Sequence, residues 1–160
     1  MLFKIYICYK MKVFIFDLDD TIIYYPMGIV DYNKISFDSN LSNLLNNLNH
    51  PKIIYTNGTY GHAEEILKNM KLSNIFNKIY ARDNIPYMKP YIKSFNYVLN
   101  DIKKNIKGNH DYYFFDDRLD NLQVAKSIGW YTIWINIDFI NKPFYIDHAF
   151  PNIHTAVMYF

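Results

Sequence analysis

The sequence predicts an α/β fold, a doubly wound parallel sheet in three α/β/α layers. Three observations predict it. Short apolar runs alternate with amphipathic stretches of about ten residues, the pattern of strands joined by helical crossovers. The runs are apolar throughout rather than on alternate residues, as in strands buried on both faces. Three of them end in polar clusters, and in open α/β sheets ligands sit beyond the carboxyl ends of the strands. The crossovers are expected to be right-handed.

The first strand is Val13-Phe14-Ile15-Phe16, which runs directly into Asp17-Leu18-Asp19-Asp20-Thr21. Burying Asp17 and Asp19 together is costly unless a divalent metal, a lysine or a phosphate-bound cation shares the site. Pro26 and Gly28 then break regular structure, so residues 22–30 read as a flap or hairpin over the strand end. Ser39 is expected to cap a helix carrying Leu41, Leu44, Leu45 and Leu48, which stops at Pro51. Lys52 to Tyr55 is the second strand, ending in Thr56-Asn57-Gly58. A helix from about Gly61 to Lys71 places Ala63, Ile66, Leu67 and Met70 on one face. Lys78 to Ala81 reads as a third strand, and Asp83 to Lys89 as a loop. Pro90 suits the first turn of the next helix, whose apolar side is Ile92, Phe95, Val98, Leu99 and Ile102. Lys107 to His110 ends that helix. Tyr112 to Phe115 is the fourth strand and delivers Asp116-Asp117. A helix from Leu119 to Ile128 closes at Gly129, a good C-terminal cap. Tyr131 to Ile135 is the fifth strand, and a short helix follows Pro151.

At 160 residues the chain suits one domain, and 51% hydrophobic residues fill its core. Residues 1–11 read either as a dispensable leader or as an added strand. The abundance of Tyr, Phe, Lys and Asn beside only two arginines, Arg82 and Arg118, reads as a compositional bias of the genome. A net charge of +2 gives no strong pull toward nucleic acid or anionic membrane. No apolar run approaches the roughly 18 residues of a membrane span. One cysteine, Cys8, excludes an intramolecular disulfide and a cysteine-based zinc cluster, and a reducing cytoplasm is the expected setting. The five histidines show no i, i+4 pair and suggest no histidine metal site. Tyr24 and Tyr25 read as packing residues and Arg118 as a surface residue.

In a parallel sheet the polar strand ends share one edge and can converge. Asp17, Asp116 and Asp117 offer hard oxygen ligands suited to magnesium. Thr56, the amides that follow it and Lys89 offer donors for phosphate oxygens. Asp17 is then a candidate nucleophile and Asp19 a candidate acid and base. Each signal taken singly has a bland explanation as a turn or cap residue. Together, in order and at predicted element boundaries, they point to a phosphoryl-transfer site.

The set resembles the haloacid dehalogenase superfamily. Asp17-Leu18-Asp19-Asp20-Thr21 matches its DxDxT motif, Thr56-Asn57-Gly58 its second motif and Lys89 its third. Phe114-Phe115-Asp116-Asp117 with Asn121 matches its fourth in the DDxxxN form. The resemblance implies a Rossmann-like core and phosphomonoester hydrolysis through an aspartyl-phosphate on Asp17, with Asp19 as acid and base. It implies Thr56, Asn57 and Lys89 around the phosphate. It implies Mg2+ held by Asp17, Asp116, Asp117 and the Asp19 backbone carbonyl, with Asn121 in support. Asp at position 19 resembles the phosphatase branch rather than the dehalogenases. Lys89-Pro90 with Phe95 and the tail Asp147 to Ile153 is similar to pyrimidine 5′-nucleotidase-like members, which implies nucleotides as substrates. Those relatives insert a helical cap after the first motif, whereas residues 22–52 here leave no room for one. The expected enzyme is therefore capless, and an open site suits a nucleotide, a phosphoprotein or a nucleic-acid end. A second subunit covering the site is the alternative. A phosphate-binding regulatory protein with a degenerate site is the competing functional class.

Overall fold

The computed structural model describes residues 10–25, 28 and 30–160. Its six strands are β1 (Met11–Phe16), β2 (Lys52–Tyr55), β3 (Lys78–Tyr80), β4 (His110–Asp116), β5 (Tyr131–Ile135) and β6 (His148–Phe150). All pair in parallel, in the order β3-β2-β1-β4-β5-β6. The helices are α1 (Ser39–Asn47), α2 (Tyr60–Asn69), α3 (Ile92–Asn105), α4 (Leu119–Ser127) and α5 (Ile153–Tyr159). The predicted fold class is the observed one: a Rossmann-like sheet between two helical layers.

β1 shows why the sheet is buried on both sides. Phe14 and Phe16 pack into one core, where α1, α2 and α5 contribute Leu41, Ile66 and Ala156. Val13 and Ile15 face the opposite core, against Phe95 and Val98 of α3 and Leu122 of α4. Successive strand residues point to opposite faces, so an unbroken apolar run is what a two-sided burial requires. The strand order reverses direction at β1, with β2 and β3 on one side and β4 to β6 on the other. The crevice for a ligand opens at that reversal, beyond the strand ends.

β2 and β5 occupy their predicted spans. Other boundaries differ. Asp38, not Ser39, caps α1, because its side chain accepts from the Leu41 amide at 2.9 Å while Ser39 is already helical. Pro90 lies ahead of α3 rather than in its first turn, after a cis Lys89–Pro90 bond, and the helix begins at Ile92. Ile92, placed on the apolar side, is 45% exposed at that first position. His110 opens β4 instead of ending α3, since pairing with Met11 extends the strand backward. β6 carries no apolar run and was not expected. It joins the sheet by pairing Ala149 with Trp134 of β5. Of the leader or strand read into residues 1–11, residues 1–9 lie outside the described residues, whereas Met11 belongs to β1. Among the described residues no helix is long and apolar enough to cross a membrane.

Candidate active site

Strand register brings the acidic residues together. β1 and β4 run in parallel with Phe16 opposite Phe115, so Asp17 and Asp116 leave the sheet side by side. The Asp17 amide donates to the Phe115 carbonyl at 2.8 Å, extending the ladder one residue past β1. Carboxylate oxygens of Asp17, Asp116 and Asp117 all lie within 4.8 Å of one another.

One ammonium sits among them. Lys89 Nζ donates to Asp17 Oδ1 at 2.8 Å and to Asp116 Oδ2 at 2.7 Å. It lies over the rings of Tyr55 and Phe114, at 5.0 and 5.2 Å from their centroids, and is 4% exposed. Asn57 fixes the lysine from behind. Its side-chain amide donates to the Lys89 carbonyl and accepts from the Lys89 amide, both at 2.9 Å. The Asn57 side chain is therefore committed to the Lys89 loop. Asn121, from the first turn of α4, donates to both carboxylate oxygens of Asp116 at 3.0 Å. The Arg118 amide adds a second bond to Asp116 Oδ1 at 2.8 Å. Trp134 holds the backbone of Asp117, its indole donating to the carbonyl at 2.8 Å.

The charges do not balance within this group. Three carboxylates share one ammonium. Burial pushes the Asp17 carboxyl up to about 7; Lys89 opposes the shift, while Asp116 and Asp117 add to it. Burial and the neighbouring Asp116 push Asp117 up to about 6. Burial alone would depress the Lys89 ammonium, but Asp116 and Asp17 outweigh it and hold it above its ordinary value.

Asp19 stands in different surroundings on the same loop. Its Oδ1 accepts from the Tyr25 hydroxyl at 3.0 Å and lies 2.8 Å from His62 Nε2. His62 Nδ1 lies 2.7 Å from the hydroxyl of Tyr32. Thr21 reaches back to Asp17 Oδ2 at 3.4 Å. Thr56, buried at the end of β2, accepts from the Gly58 amide at 2.9 Å and leaves its own hydroxyl proton for another acceptor. Tyr24, on the same turn as Tyr25, is 75% exposed. Arg118 is paired with Asp120 at the rim.

A cleft of about 240 Å³ opens on these residues, lined by Asp17, Asp19, Thr56, Lys89, Asp117 and Asn121 among others. That is below the roughly 300–1,000 Å³ of pockets that enclose a drug-sized molecule. It has room for a phosphate-sized group. All the residues singled out for chemistry thus meet at one edge of the sheet. Sequence reasoning missed His62 and Tyr32, and read Tyr25 as packing only. A search for paired histidines could not find His62, because its partner is a carboxylate from another segment.

The comparisons agree with this geometry. The family model described as haloacid dehalogenase-like hydrolase matches residues 32–135, beginning after the first acidic motif. No curated protein matches the sequence significantly. Among solved structures, a HAD-superfamily hydrolase from Ehrlichia chaffeensis is similar, with a TM-score of 0.63 and 16% identity over 94% of this chain and 96% of its own. A haloacid dehalogenase-like family protein from Streptococcus pneumoniae gives 0.62 and 14% over 93% and 98%. A HAD hydrolase from Bacillus subtilis bound to magnesium gives 0.63 and 20%, over 73% of this chain and 53% of its own. Two of these relatives are matched nearly end to end, as suits a form without a cap between β1 and β2. With the family model spanning more than half of its length, this chain belongs to the haloacid dehalogenase-like hydrolases.

Proposed function

We propose that this hydrolase is a magnesium-dependent phosphomonoesterase that works through an aspartyl-phosphate on Asp17. The observation that carries the reading is the triad of Asp17, Asp116 and Asp117 around a single lysine. The donor set fits the metal: three hard oxygen ligands, two of them with carboxyls pushed up by burial and by neighbouring carboxylates. The magnesium-bound relative from Bacillus subtilis supports the same assignment. Held by the three carboxylates and the Asp19 carbonyl, magnesium would neutralise them and polarise the phosphoryl group.

The remaining steps belong to the chain's own residues. Lys89, the free Thr56 hydroxyl proton and the amides after Thr56 bind the phosphoryl oxygens and orient the phosphorus toward Asp17. The Asp17 carboxylate attacks phosphorus, and the bond from phosphorus to the leaving oxygen breaks. Asp19 gives its proton to that oxygen. Asp19 then takes a proton from water, which attacks the same phosphorus, and the bond to Asp17 breaks. Phosphate leaves and both carboxyls return to their starting state. An acid at position 19 favours this reaction over dehalogenation, where no leaving oxygen needs a proton.

The small open cleft supports a substrate whose body stays in solvent, such as a nucleotide, a phosphoprotein or a nucleic-acid end. The test is hydrolysis of nitrophenyl phosphate with and without magnesium, in the wild type and in Asp17→Asn. Magnesium-dependent turnover lost in the variant is the expected result. Turnover retained in a folded Asp17→Asn protein rejects the nucleophile. A panel of mononucleotides, phosphopeptides and phosphorylated oligonucleotides then ranks the substrate classes.

A further inference from the structure

Resting on the reading of Asp19 as acid and base, we infer that His62 and Tyr32 form a positioning relay that selects which oxygen of Asp19 faces the substrate. Both side-chain contacts made by Asp19 fall on one atom. Oδ1 accepts the Tyr25 hydroxyl at 3.0 Å and meets His62 Nε2 at 2.8 Å. Oδ2 has no hydrogen-bond partner among the described residues, and Asp19 lines the cleft. Oδ1 is occupied by these two contacts, so Oδ2 is the oxygen left to face the substrate.

The relay fixes the imidazole tautomer as well as its place. The Tyr32 hydroxyl lies 2.7 Å from Nδ1. Donating there, it leaves the ring proton on Nε2, which points at Asp19. Tyr32 is itself tied to α2, because the Asn69 side chain donates to its carbonyl at 3.2 Å. His62 belongs to the first turn of α2, where its amide donates to the Thr59 hydroxyl at 3.2 Å. Gly58 leaves the room that this approach needs. A Cβ there would stand 2.8 Å from His62 Cδ2 and 3.5 Å from Asp19 Oδ2. His62 is 16% exposed, so water does not readily replace it.

A relay that aims a proton matters most when the leaving oxygen needs one. Nitrophenolate leaves without help, whereas an alkoxide does not. His62→Ala should therefore lower kcat/KM, which ends at loss of the leaving group and precedes the water step, by about tenfold to a hundredfold on an alkyl phosphate. On nitrophenyl phosphate the loss in kcat/KM should stay within about threefold, because that leaving oxygen needs no proton. His62→Gln, whose amide can donate to Oδ1, should restore most of the alkyl-phosphate rate. Tyr32→Phe keeps the ring packing and should show the same selectivity, more weakly. Equal losses across the two substrates in His62→Ala and Tyr32→Phe would overturn the relay. With wild-type turnover abolished by Asp17→Asn, that result rejects the relay alone; a wild type without turnover on either phosphate rejects both readings.

Discussion

Asp17 and Asp19 stand two residues apart on one loop and differ in almost every respect that governs their chemistry. Asp17 is buried, paired with Lys89 at 2.8 Å and surrounded by two further carboxylates. Asp19 is partly exposed and touches no ammonium among the described residues; its partners are a phenol and an imidazole. Strand alternation would keep residues two apart on one face, but β1 ends at Phe16, and in the loop beyond it the first side chain meets Lys89 and the second meets His62 of α2. One group is thereby placed beside a positive charge that a metal would reinforce and that would attract a phosphoryl group. The other is held by two hydrogen-bonding partners on one oxygen, beside the cleft. Position on the loop, more than residue type, separates the two proposed roles.

The sharpest way to break this comparison is to neutralise each carboxylate in turn. Asp17→Asn should reduce phosphatase turnover by about 10⁴-fold or more, since no covalent path remains. Asp19→Asn should cost about 10² to 10³-fold, the worth of a positioned acid and base. Equal losses measured by steady-state kinetics would mean that the two surroundings do not divide the work.

Lys89→Met tests the ionic side alone. It leaves Asp17 and Asp116 buried without their cation, and should lower stability by about 3–5 kcal/mol in chemical denaturation. The pH dependence of stability carries the same signature. Asp17 and Asp117 have folded values of about 7 and 6, above their unfolded value near 3.9. Between pH 4 and 7, roughly, the folded state therefore holds more protons than the unfolded one. Stability of the metal-free protein should fall as pH rises through that window, and level off below it. Magnesium should reverse the trend, raising the melting temperature more at pH 8 than at pH 5. A metal-free protein that becomes more stable from pH 5 to pH 7 would contradict the crowded carboxylates. The smallest effect belongs to the Asp19 side: Tyr25→Phe removes one hydroxyl donor and should cost about 1 kcal/mol of stability, read from the same melts.

Much of this was legible in the residues because parallel sheets obey a simple rule. Strands that end in polar clusters deliver them to one edge, so Asp17, Thr56, Asp116 and Asp117 could be grouped before any coordinates. Lys89 followed from its place at a loop-to-helix junction. β6 was illegible because three half-buried residues carry no periodic signal, and it forms only by pairing with β5. Asp38 and Ser39 are both good capping residues, and only the backbone geometry chose between them. The Asn57 side chain clamps Lys89 across 32 residues of chain, a contact that no local pattern announces.

Local hydrophobic pattern and turn chemistry act over a few residues, and they were enough to determine the α/β class, the strand that starts the fold and the acidic edge. Which carboxylates share the lysine depends on the register of β1 and β4 and on the Asn57 clamp, and which oxygen of Asp19 is free depends on the turn holding Tyr32, on α2 and on the loop after β1. Those contacts join segments with no local pattern in common, so tertiary packing alone decided them.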